Sequence, residues 1–126
     1  MKNFENPVLE YIHKHNLVGI RAGKDRTTFL NIWMVAFQNR IFARSWGLAE
    51  KSWYHCLKEG EQGAIQYGTN VVLVKGIIPH DLDVITPLIN AAYLLKYDTG
   101  GDNSYYAHGI TEPEHIKRTM EFIPLL

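Results

Sequence analysis

Two breaks constrain this chain more than any other feature: Gln38-Asn39, between TFLNIWMVAF and IFARS, and Gly68-Thr69-Asn70, between AIQYG and NVVLVKGII. Strands joined by turns this tight are antiparallel neighbours, and Asn tolerates the positive φ such hairpins require. The first strand is apolar at both parities, with Leu30, Ile32 and Met34 against Phe29, Trp33, Val35 and Phe37. That pattern predicts a strand covered on both faces. Two further strands are expected, LVGIRAG turning around Ala22-Gly23-Lys24-Asp25, and an apolar, paired strand from Met120 to Leu126. Six short antiparallel strands tend to curl into a barrel.

Helical spacing interrupts the strands. NPVLEYIHKHN predicts a short helix with Asn6 as cap, Pro7 in the first turn and a stripe of Leu9, Ile12 and His13. In AEKSWYHCLKEG one stripe holds Ala49, Trp53, Cys56 and Leu57, another holds Lys51, Tyr54, His55 and Lys58, and Gly60 is the stop. A longer helix, opened by Asp81 or by Thr86-Pro87, runs through VITPLINAAYLLKY with Leu88, Ala92 and Leu95 inward. Asp98 to Asp102 reads as a flexible turn, and Thr111-Glu112-Pro113-Glu114 as a capping box opening a short helix. The expected fold is α+β, a small antiparallel barrel with short peripheral helices, and residues 1–126 show no linker or repeat that would divide one domain.

Charge and composition exclude more than they select. Thirteen Lys and Arg balance thirteen Asp and Glu, which argues against nucleic acid or a membrane surface as partner. The N-terminus lacks the apolar core of a signal peptide, and one cysteine cannot form an internal disulfide; both point to the cytosol.

Chemistry concentrates in ARSWGLAEKSWYHC, residues 43–56. A helix beginning near Ala49 would present free N–H groups beside the planar fork of Arg44 and the point charge of Lys51, a site for phosphate or carboxylate. The competing reading has Glu50 satisfy the helix end, Arg44 solvated or paired to Glu, and both Trp as core fillers. His55 either shifts protons at a pocket edge or is an exposed or capping residue, and Cys56, on the apolar stripe, reads as a small hydrophobe. Tyr93, Lys96 and Tyr97 share one helix face, available either for proton donation or for packing. No metal is expected: His13, His15, His108, Glu112 and His115 have no ligand spacing.

Motif order adds a resemblance. Trp33 in NIWMV, Arg44-Ser45 with Gly47, then Lys51 and Trp53-Tyr54, AAYLLKY and the terminal Ile123-Pro124 resemble the pyridoxamine-phosphate-oxidase-like split barrels that bind FMN. Within these, the chain is most similar to an uncharacterised family related to the deazaflavin-dependent nitroreductases, over roughly residues 17 to 126. The resemblance implies a split barrel, a homodimer with the cofactor at its interface, and phosphate held by Arg44, Ser45, Lys51 and Ser52. Trp46, Trp53 or Trp33 would wall the ring. Ser45 and Lys51 are separated by five residues, so the tight Ser-Arg-Lys run of the oxidases is missing and the deazaflavin-enzyme arrangement fits better. Three functions are therefore weighed: an oxidoreductase using FMN or a deazaflavin, a cofactor-free enzyme with Tyr93, Tyr97 or His55 as acid or base, and a non-catalytic small-molecule-binding module.

Overall fold

A computed structural model describes residues 3–23, 26–46 and 52–125. In chain order it contains α1 (Asn6–Lys14), β1 (Val18–Ala22), β2 (Leu30–Ile32), β3 (Val35–Phe37), β4 (Arg40–Arg44), α2 (Trp53–Lys58), β5 (Gly63–Tyr67), β6 (Asn70–Ile77), α3 (Leu82–Tyr97), α4 (Gly101–Gly109), α5 (Pro113–Ile116) and β7 (Thr119–Pro124). The strands form one antiparallel sheet in the order β2-β1-β5-β6-β7-β4-β3. Both expected hairpins are present. Phe37 pairs with Arg40 around Gln38 and Asn39, at φ 53° and 61°, and Tyr67 pairs with Asn70 around Gly68 and Thr69.

The sheet has seven strands where six were expected, because TFLNIWMVAF is divided between the two edges. Its first half, β2, pairs with β1, and its second half, β3, pairs with β4. Only Trp33 and Met34 lie between them. A flat seven-stranded sheet would hold its edges about 29 Å apart, whereas three Cα–Cα steps reach at most about 11 Å. The sheet must therefore curl until its edges nearly meet, which makes it an antiparallel half-barrel within an α+β fold.

Two apolar layers follow from that curl. Inside, Ile20, Met34, Ile41, Ile65 and Phe122 pack with Leu9 and Ile12 of α1 and Leu57 of α2. Leu57 sits close because Gly76 opposes it: a Cβ there would stand 2.9 Å from the Leu57 Cβ and 2.6 Å from the Met120 Sδ. Outside, Val35 and Phe42 pack against Ile85, Ile89, Tyr93 and Tyr97 of α3. The inward face of α3 is thus Tyr93 and Tyr97, not the expected Leu88 and Leu95, which are 46% and 90% exposed. Aromatic rings with a hydroxyl reach both the core and a backbone partner, and here they take the buried side.

At the helix ends, Glu5 stands at the α1 N-cap in place of the expected Asn6. Of the two expected starts for α3, Asp81 is the one used, and Pro87 lies inside the helix. The short helix expected near residue 113 is α5, with Pro113 in its first turn and Glu112 at its N-cap. The expected flexible turn extends only to Gly100, beyond which the polar stretch GDNSYYAHG forms α4. No helix of the described residues is long and apolar enough to cross a membrane.

Candidate functional site

Strand β4 delivers Arg44 to the lining of a cavity of about 630 Å³. Arg44 is only 4% exposed. Its Nε donates to Thr119 Oγ1 at 2.9 Å, its Nη1 to Asn90 Oδ1 and to the Ile110 carbonyl, and its backbone N–H to Tyr93 Oη at 2.8 Å. Its Nη2 is buried and has no hydrogen-bond partner among the described residues. Its partners among the described residues are all neutral, and burial pushes its pKa below the usual arginine value, against the opposing effect of Tyr93. A buried cation whose partners carry no charge is costly unless an anion joins it.

Ser45, Trp46, Ser52 and Trp53 also line the cavity, as does Trp33. The residues assigned to cofactor binding from the sequence are therefore brought together, apart from Lys51, which with Gly47, Ala49 and Glu50 lies outside the described residues. Ser52 caps α2, its Oγ accepting from the His55 N–H at 3.3 Å, so the hydroxyl proton can point elsewhere. Trp46 stacks on His115 at 4.4 Å and meets Tyr106 edge to face. The His115 Nδ1 lies 3.1 Å from the Ser45 carbonyl, an acceptor only, which fixes the proton on Nδ1. Gly109 makes the stack fit: a Cβ there would stand 2.7 Å from Trp46 Cη2.

Arg21 and Arg26 also line the cavity, so its described lining carries three arginines and no Asp or Glu. Arg21 Cζ lies 4.9 Å from the centre of the Phe29 ring. Neither Arg21 nor Arg26 belongs to an ion pair among the described residues.

The candidate acid–base residues are elsewhere. Tyr93 and Tyr97 are buried under the sheet and do not line the cavity. Burial raises Tyr93 to about 12, against the hydrogen bond from Arg44, and burial raises Tyr97 as well. Tyr97 Oη accepts from the Met34 N–H at 3.0 Å and donates to the Asn16 carbonyl at 2.6 Å. Lys96 donates to the carbonyls of Ile12 and Met34. These groups thus serve the backbone where the strand passes between sheet edges. His55 is half-exposed, outside the cavity lining. Cys56 is half-buried, and burial together with Glu61 pushes its thiol above the ordinary value, away from the reactive thiolate. No cluster that could hold a metal occurs among the described residues.

Sequence reasoning missed Arg21, Arg26, Asn90, Tyr106 and Thr119. Arg21 interrupts an apolar strand and Asn90 an apolar helix, signals of a polar group with work in the interior. Tyr106 was hidden because α4 has no apolar periodicity. The chain matches, over residues 9–122, a protein family described as uncharacterized protein conserved in bacteria (DUF2255). No curated protein and no solved structure matches it.

Proposed function

The chain belongs to that family of uncharacterised bacterial proteins, and from this premise we propose that it is a flavin- or deazaflavin-binding split-barrel protein, an oxidoreductase acting on a small molecule. The observation that carries the reading is the buried Arg44 guanidinium on the cavity lining, one of its nitrogens without a partner among the described residues. A volume of about 630 Å³ falls within the range of cofactor and small-molecule sites. Three tryptophans offer flat apolar surface for a ring system, and Arg44, Ser45, Ser52 and Lys51 supply donors for a phosphate. When bound, such a cofactor supplies hydride chemistry; the chain's own residues bind its anionic group, orient its ring and keep water from one face.

The same reading makes the protein a homodimer. Supporting it, Val84, Leu88 and Leu95 are exposed along one side of α3, at spacings of four and seven residues that let two copies pack face to face. Light scattering is expected to give twice the chain mass, and Leu95→Glu to halve it.

Titration with FMN and with the deazaflavin cofactor tests the central assignment. Micromolar binding that weakens tenfold or more in Arg44→Gln is expected, since a buried charge-assisted contact is removed. No binding of either at high micromolar concentration would sink it. Binding without turnover of any electron acceptor would leave a binding module in place of an oxidoreductase.

A further inference from the structure

Resting on the reading of this cavity as the ligand site, we infer that it holds two separate anionic groups, and that the small-molecule substrate is a carboxylate recognised by Arg21 and Arg26. Arg44 already faces one anion in the proposed function. Its guanidinium is tied to β7, α3 and the end of α4 through Thr119, Asn90 and Ile110. Arg21 is held at a different place, over the Phe29 ring. The two residues also sit on strands that are not neighbours: β5, β6 and β7 stand between β1 and β4 in the sheet. Held on different strands and by different contacts, the two guanidinium groups offer two places for an anionic group on one cavity lining.

Arg21 and Arg26 are suited to recruiting a substrate. Arg26 is exposed and Arg21 is half-exposed, so each exchanges ligands with solvent at little cost, in contrast to the buried Arg44. Asn31 and Thr28 stand on the same wall and supply neutral donors, and Leu30 and Phe29 supply apolar contact. Among the described residues no acid stands on the lining to compete with an incoming carboxylate, and the positive wall repels amines.

The test compares 2-naphthoate with its neutral counterpart 2-naphthamide at low ionic strength, followed through the fluorescence of the tryptophans in the wall. The wild-type protein is expected to bind naphthoate at least tenfold more tightly than naphthamide. The double variant Arg21→Gln/Arg26→Gln is expected to erase that preference while FMN affinity stays within about threefold, which also shows that the variant is folded. Equal behaviour of the two probes in the wild-type protein, bound or not, overturns the inference. So does a preference that survives in the double variant and vanishes in Arg44→Gln. A protein that fails to bind FMN yet prefers naphthoate through Arg21 and Arg26 would lose the cofactor assignment and keep this one.

Discussion

Arg44 shows how a single side chain can be held at a cost to the fold. Asn90, Thr119 and Ile110 satisfy part of its guanidinium, but none carries a charge, and one nitrogen has no partner among the described residues. Replacing a buried ion by an apolar side chain of similar length is often neutral or stabilising, and sites built for function commonly trade stability for it. Arg44→Met is therefore expected to unfold at an equal or higher temperature than the parent. The same variant should lose the stabilisation that millimolar phosphate or FMN confers on the parent, because ligand linkage acts only through the native site. Melting curves with and without each ligand check both halves. A variant that melts many degrees lower yet keeps its ligand shift would make Arg44 a structural residue.

At the scale of elements, the passage of one strand between two sheet edges is the decisive feature. Ladder bonds stop at Trp33 and Met34, and side chains of α3 take their place: Tyr97 receives the Met34 N–H, and Lys96 donates to the Met34 carbonyl. Trp33 lies flat on Tyr97, 4.1 Å between ring centres. Tyr97→Phe keeps the ring and deletes the hydroxyl, leaving the buried Met34 N–H without its acceptor and the Asn16 carbonyl without its donor. An unsatisfied buried group costs about 1–3 kcal/mol, and urea unfolding is expected to show a loss of that order with little change in slope. A loss under about 0.5 kcal/mol would mean that water replaces the hydroxyl without penalty. The hairpins were legible in the sequence because turn residues act locally: Gln38 and Asn39 adopt the positive φ that the break demanded. The division of TFLNIWMVAF was not, because an apolar strand reads alike whether it stays on one edge or crosses to another. The orientation of α3 was misjudged for a related reason, since Leu and Tyr stripes alternate on it and only the hydrogen-bond needs of the strand crossing select the tyrosines. Most of the cavity's tryptophans and serines were legible as one stretch, residues 44–53; Arg21 on β1 and Arg26 beyond it were not, because a chain of zero net charge hides how its charges are sorted in space.

That sorting governs the molecule as a whole. No acid lines the cavity among the described residues, whereas two meet at Arg40, whose guanidinium binds Glu121 at 3.0 and 2.9 Å and Asp81 at 3.0 Å twice. This one residue joins the β3–β4 hairpin, the N-terminal end of α3 and β7. Hydrogen bonds from Arg40 hold the Asp81 carboxyl below its ordinary value. A depressed carboxylate contributes stability that is present above the unfolded value near 3.8 and is lost as pH falls through the folded one. At the alkaline end Lys96 reverses the usual pattern, because burial pulls it down to about 8 from 10.5. Between those values the native protein has released the proton and the unfolded chain still holds it, so stability rises with pH across that window. Above about 10 the two tyrosines turn the trend: the unfolded chain ionises there, while Tyr93 keeps its proton until about 12 and Tyr97 keeps it longer. Urea midpoints are thus expected to fall below pH 4, to rise between pH 8 and 10, and to fall again beyond. Lys96→Met should flatten the middle rise and leave the acid limb intact, and Asp81→Asn should weaken the acid limb and leave the rise intact. A middle rise of full size in Lys96→Met would show that the lysine is not the group that titrates, and that its contacts to Ile12 and Met34 keep it charged throughout.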